Sequence, residues 1–190
     1  MDLREKILRA AGRLFCECGV RGTTTRRIAD EAGVNEVTLF RQFGTKEELL
    51  REAIGLNWAA VDLPKPPEMP VAPEAELTAW AVEFADRLRV AAPLIRTSLG
   101  EFEQHPGILP RGGSPTARTA AALAGYLEQL RRRGFTSAGF DSRAAAAGMI
   151  GAILSDAITR DGQPDMYSDA PEADVREYMS VFLRGIGVTA

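Results

Sequence analysis

The sequence predicts an all-α protein: a small three-helix helix-turn-helix module followed by a larger helical body, about nine helices in all. Three observations predict it. Apolar residues recur at three-and-four spacing along most of the 190 residues. Glycine or proline closes nearly every such stretch. No run alternates apolar and polar residues as a half-buried strand would. At 45% hydrophobic and 26% charged residues, the chain can bury a core and is not of disordered composition.

Taken in order, residues 3–18 set Leu3, Ile7, Ala11, Leu14, Phe15 and Cys18 on one helical face, and Gly19 is the natural residue to end that helix. Thr23, Thr24 and Thr25 offer N-caps for a short helix, RRIADEA, which Gly33 stops. Asn35 caps a second short helix, EVTLFRQF, ended by Gly44. Thr45 and Glu48 form a capping box for a longer helix reaching about residue 60. Prolines 64, 66, 67, 70 and 73 exclude helix from the next stretch. Five more helices are expected, near 74–91, 93–103, 115–133, 142–160 and 171–187, with Pro93, the segment 105–115, Gly134, and Gly162 with Pro164 as breakers. The module boundary falls near residue 46, dividing residues 1–46 from 47–190.

Charge is unevenly distributed. Residues 1–46 carry nine Lys/Arg and six Asp/Glu, a net +3; the whole chain is −3, so the remainder is −6. This split suits an N-terminal module that faces a polyanion. Two cysteines make no disulfide framework. No apolar run approaches the roughly 20 residues of a membrane span, and the N-terminal residues lack the apolar stretch of a secretory signal. A cytoplasmic location, with no membrane partner, is therefore expected. No Gly-rich phosphate loop, no metal-ligand spacing and no nucleophile elbow is present, and the single histidine, His105, falls in a loop, so neither an enzyme nor a bound cofactor is expected.

The function-bearing segment is the pair of short helices joined by AGVN. A helix-turn-helix needs a tight turn, buried residues that lock the second helix, and a small polar face able to enter a major groove. Val34, Leu39 and Phe43 can supply the lock; Glu36, Val37, Thr38 and Arg41 make the face. Around them Thr24, Thr25, Arg26, Gln42 and Lys46 are donors suited to phosphate oxygens, with Lys46 in the first turn of the next helix. Of Arg26 and Arg27, about 100° apart on the helix, Arg26 is the one expected to reach DNA.

The stretch RGTTTRRIADEAGVNEVTLFRQFGTKEELL, with the preceding IL-x-AA-x-x-LF pattern, resembles the DNA-binding domain of TetR-family transcriptional regulators over about residues 3–52. The resemblance implies that Thr24, Thr25 and Arg26 approach the DNA backbone and that Glu36, Val37, Thr38 and Arg41 read base edges. It places Lys46 on the family's phosphate-binding lysine. Asn35 caps the recognition helix at the interface. Where the family usually has tyrosine, this chain has Phe40, which keeps a ring without a hydroxyl, and Gln42, a shorter donor. Glu36 could accept from a cytosine amine or pair with Arg41 or Arg26.

The body would supply a dimer and a switch. Helices 142–160 and 171–187 combine small residues with Met149, Ile150, Ile153, Leu154, Met179, Phe182, Leu183 and Ile186. The resemblance implies a four-helix bundle between two copies, with two recognition helices about 34–36 Å apart or somewhat more on a pseudo-palindromic double-stranded operator. Trp58, Trp80, Phe84, Leu88, Ile95, Leu99, Phe102 and Tyr126 read individually as core; as a group the resemblance implies that they line a cavity for an apolar or aromatic small-molecule effector, and Arg96, Glu101 and Glu103 are candidate polar anchors only. Cys16 and Cys18 point roughly 200° apart on one helix and read as packing residues, a thiol sensor being the alternative. Arg131–Arg133 read as a cationic helix end. The expected function is a ligand-responsive, sequence-specific transcriptional regulator, a repressor released by its effector. The alternative is a ligand-independent regulator or activator with a fully packed C-terminal bundle.

Overall fold

The computed structural model describes residues 2–108, 115–137 and 139–188. Among the described residues eight α-helices follow one another: α1 (Leu3–Gly22), α2 (Thr25–Ala32), α3 (Glu36–Phe43), α4 (Lys46–Ala59), α5 (Pro73–Glu101), α6 (Pro115–Arg132), α7 (Ser142–Thr159) and α8 (Pro171–Gly185). Two short 3₁₀ turns, Arg160–Gly162 and Pro164–Met166, join α7 to α8, and one isolated antiparallel bridge pairs Thr136 with Val188. No helix among them is long and apolar enough to cross a membrane.

Two expected boundaries are corrected. The helices expected at 74–91 and 93–103 are one, α5, with Pro93 inside it. A proline removes one N–H from the helical ladder. Its neighbours Ala91, Ala92, Leu94 and Ile95 are all buried, and that packing outweighs the missing hydrogen bond. Gly19, expected to end α1, only kinks it: with φ 64° and ψ −170° it interrupts the helix, which then makes a further turn to Gly22. The buried Thr23 holds this turn, giving both its N–H (3.2 Å) and its hydroxyl (2.6 Å) to the Gly19 carbonyl.

The chain forms two compact units. The first comprises Met1–Val61 with Ala91–Gly113. Its core joins Ile7, Leu8, Leu14 and Phe15 of α1 to Ile28 of α2, Leu39 and Phe43 of α3, and Leu49, Leu50 and Ile54 of α4, with Leu94 and Ile108 from the later segment. Each such side chain, fully buried, contributes about 1.5–3 kcal/mol, which is why two helices of only eight residues hold their shape here.

The second unit comprises Asp62–Val90 with Ser114–Ala190. Leu77, Phe84, Leu88, Leu123, Leu127, Ile153, Val175 and Met179 are fully buried in it. One corner of this unit is polar. Asp156, 1% exposed, accepts from Arg160 Nε (3.1 Å) and Nη2 (2.5 Å), from the Tyr178 hydroxyl (2.9 Å) and from Arg89 Nη2 (3.4 Å). Arg160 also donates to Asp174 (2.8 Å) and to the Ser168 carbonyl (2.5 Å), and lies over the Tyr167 ring. The buried carboxylate is tolerated because Arg160, Tyr178 and Arg89 all donate to it.

Candidate nucleic-acid interface

Local chemistry sets the two short helices. Thr24 caps α2, its hydroxyl accepting from the Arg27 N–H at 3.3 Å. Gly33 ends α2 at φ 66°, ψ 41°, a left-handed conformation that glycine adopts without penalty, and its N–H returns to Ala29 and Asp30. Asn35 caps α3: its Oδ1 accepts from the Thr38 N–H and from the Thr38 hydroxyl, both at 2.9 Å. A cap of this kind is worth about 1 kcal/mol. Thr45 caps α4 through the Glu48 N–H at 3.1 Å, but the expected capping box is half made, because the Thr45 N–H goes to the Phe43 carbonyl.

α3 is pinned on one side and bare on the other. Leu39 and Phe43 are buried, and the Arg4 guanidinium covers the Phe43 ring at 4.7 Å while pairing with Glu52. On the outer side Val37 is 74% and Phe40 49% exposed; Thr24, Arg26, Asn35, Arg41 and Gln42 are exposed too. Thr25, Glu36, Thr38 and Lys46 are half-buried. Glu36 takes neither of the arginine partners considered from sequence: its carboxylate accepts the Thr25 hydroxyl at 2.5 Å, tying the first turn of α3 to the first turn of α2. Arg27 turns back to the chain, donating to the Gly22 carbonyl (2.8 Å) and to Cys18 Sγ (3.1 Å), while Arg26 points out. Lys46, the first residue of α4, donates from Nζ to the Val20 carbonyl at 2.8 Å. Sequence reasoning missed Val20, because that contact spans 26 residues and leaves no local signal.

The remaining sequence candidates lie as follows. Trp58, Ile95, Leu99 and Phe102 belong to the first unit and Trp80, Phe84, Leu88 and Tyr126 to the second. Leu99 and Phe102 are exposed and Trp58 is half-buried. Trp80 stacks on Phe84 with centroids 5.1 Å apart and donates its indole N–H to the Pro64 carbonyl at 3.0 Å. The Tyr126 hydroxyl donates to Glu76 at 2.8 Å; burial and this carboxylate raise the tyrosine well above its usual range. Arg96 and Glu103 are exposed, and Glu101 accepts from the Val20 N–H at 3.0 Å. Met149, Ile150, Ile153, Met179, Leu183 and Ile186 are buried within the single chain, and Leu154 and Phe182 are half-buried. Beside them lies an apolar groove of about 340 Å³, lined by Gly148, Met149, Ala152, Val181 and Phe182. Val181, missed from sequence, is 62% exposed there.

The thiols of Cys16 and Cys18 form no disulfide, and burial pushes the Cys16 thiol up, away from the reactive thiolate. His105 shapes its turn, with its N–H on the Glu101 carbonyl and its own carbonyl accepting from Ile108. Arg131 and Arg132 both pair with Glu128 at the end of α6.

A two-turn helix, capped at both ends, pinned by two buried residues and bare on its outer face, has the shape of the second helix of a helix-turn-helix. Residues 7–53 match the family model for bacterial regulatory proteins of the tetR family. The repressor KstR2 of Mycobacterium tuberculosis is 40% identical over 57 residues, 29% of this chain and 28% of that protein. The transcriptional regulator YvkB of Bacillus subtilis is 46% identical over 46 residues, 24% of each chain. The match thus spans about a quarter of the length of these relatives. In fold the likeness is wider: a TetR transcriptional regulator of Agrobacterium tumefaciens superposes with a TM-score of 0.74 at 24% identity, over 97% of this chain and 94% of that one. Over residues 7–53 the chain is similar to the DNA-binding segment of TetR-family regulators, and its fold is like theirs.

Proposed function

We propose that this chain is a transcriptional repressor that binds a pseudo-palindromic DNA operator as a homodimer and leaves it when a small apolar or aromatic effector binds. Residues 1–46 would hold the operator; residues 47–190 would hold the effector and the partner subunit. The observation that carries the reading is the outer face of α3, where Val37, Phe40, Arg41 and Gln42 stand exposed while Leu39 and Phe43 anchor the helix. Exposed apolar side chains on a surface helix suit thymine methyls and sugar, and Arg41 suits a guanine edge. Phosphates would fall to Thr24, Thr25, Arg26, Gln42 and Lys46, with Asn35, Glu36 and Thr38 at the entry to the groove.

Dimerisation would use the groove between α7 and α8, where Gly148 and Ala152 allow close approach and Val181 and Phe182 offer apolar surface. Effector and operator would then oppose one another by linkage, each weakening the other by the same factor, typically about 5–150-fold. The alternative, a regulator without an effector, is favoured by one observation: Trp80, Phe84 and Tyr126 are already satisfied by protein partners.

The experiment is fluorescence anisotropy of the full chain against the duplex upstream of its own gene and a scrambled duplex, at physiological salt. A preference of about 10³-fold or more, lost on adding a hydrophobic compound from an effector screen, supports the repressor reading. The same preference with no compound able to relieve it supports the alternative. Equal, salt-sensitive binding to both duplexes counts against sequence-specific regulation from this upstream region.

A further inference from the structure

The kink in α1 breaks a hydrogen bond, and α5 repairs both halves of it. In a regular helix the Val20 N–H would bond the Cys16 carbonyl, four residues back. At Gly19, φ 64° and ψ −170° turn the Val20 N–H away from that partner, in a region of backbone conformation that is essentially reserved for glycine. The N–H goes instead to the Glu101 carboxylate at 3.0 Å, and the Cys16 carbonyl accepts from the Thr97 hydroxyl at 3.1 Å. Thr97 and Glu101 are one helical turn apart, so one face of the end of α5 replaces the missing bond. A Cβ at position 19 would collide with the Glu101 carboxylate. The Val20 carbonyl, on the far side of the same residue, accepts from Lys46 Nζ at 2.8 Å. An ammonium has three donors; this bond uses one and fixes where the other two can point.

We infer that Glu101 is a positioning residue for DNA binding, acting on Lys46 through the two backbone groups of Val20. It rests on the DNA-binding reading above, in which Lys46 contacts phosphate. Glu101 orients the Val20 N–H, the Val20 carbonyl orients the Lys46 ammonium, and the ammonium meets the backbone of the duplex. The end of α5 thereby sets the phosphate contact of α4 without touching DNA.

The test uses the full chain with Glu101→Ala, Glu101→Gln, Lys46→Ala and the double variant Glu101→Ala/Lys46→Ala. Amide exchange of Val20 is read by NMR without DNA. The salt dependence of binding to a random-sequence duplex is read by anisotropy. Glu101→Ala is expected to speed Val20 exchange about tenfold, the worth of one hydrogen bond. It is also expected to lower the salt slope by about one per subunit, as Lys46→Ala does. The double variant should lose nothing more, and Glu101→Gln, which keeps an acceptor oxygen, should behave as the parent. An unchanged slope in Glu101→Ala, or additive losses in the double variant, overturns the proposal. If Lys46→Ala itself leaves the slope unchanged, the phosphate contact fails and the proposal with it, and the exchange rate still reports whether Glu101 holds Val20. Should Glu101→Ala unfold the first unit, Glu101→Asp, which withdraws the carboxylate by one methylene, gives the same two readouts with the same expectations.

Discussion

The same residue types do opposite work in two regions of this molecule. On α3 and its surroundings, Arg26, Arg41 and Gln42 stand exposed at the surface. In the corner of the second unit, Arg160, Tyr178, Ser168 and Asp174 are gathered around one buried carboxylate, Asp156. The first arrangement adds little to folding, because an exposed charged side chain contributes little to stability; in the function proposed above, its value is kept for a polyanion. The second contributes to folding and offers nothing outward. Whether a polar side chain serves binding or structure is decided by whether its partner lies within the chain, not by its chemistry.

That contrast can be broken most forcefully at Asp156. Asp156→Ala leaves Arg160 with Asp174 and Arg89 with Asp86, strips the Tyr178 hydroxyl of its acceptor, and should cost about 1.5–3 kcal/mol, read as a fall in the urea midpoint. A loss below about 1 kcal/mol would show that the corner is no more structural than the recognition face. Arg41→Ala is the converse case. It should leave the urea midpoint in place and weaken specific binding by about 1–3 kcal/mol with relaxed preference at one base position. Equal weakening on all duplexes would make Arg41 a phosphate contact.

Phe40→Tyr sharpens the comparison from the other side, by adding a donor to the exposed face. It should tighten DNA binding by about 0.5–1.5 kcal/mol, the net value of one hydrogen bond, with no change in unfolding. No gain would place the ring edge away from phosphate.

The smallest effect is in acid. The Arg160 guanidinium and the Ser168 hydroxyl hold Asp174 below its ordinary carboxylate value of 3.8. A depressed folded value means that the contribution to stability is complete above the unfolded value and fades as pH falls through the folded one. The unfolding midpoint should therefore be flat in this contribution above about pH 5 and decline below the ordinary value, and Asp174→Asn should remove that part of the decline.

Much of the head could be read in advance because its signals are local. Thr24, Gly33, Asn35 and Gly44 act on residues within four positions of themselves, so the ends of α2 and α3 fall where the caps put them. What sequence reading lost depends on distant partners. Gly19 looks like a helix stop, and becomes a kink because Thr97 and Glu101, about 80 residues away, satisfy the groups it exposes. Pro93 looks like a boundary, and is carried through by buried neighbours. Nothing local marks Asp156 as buried; its partners Arg89 and Tyr178 are 67 and 22 residues distant. The Thr25 hydroxyl on Glu36 was missed for a related reason, since the turn between two helices folds eleven residues into one hydrogen bond.

The eight residues of α3 are too few to make a stable helix alone, since isolated helices shorter than about 12–15 residues are marginal in water. Its shape is therefore set by Leu39, Phe43 and the caps at Asn35 and Gly44, and not by Val37, Phe40, Arg41 or Gln42. The positions facing outward can be exchanged at almost no cost to folding, while the positions facing inward cannot. If α3 reads an operator as proposed, a lineage built on this module would move from one operator to another through a few single substitutions, each intermediate still folded, so that its regulatory targets would evolve faster than its architecture.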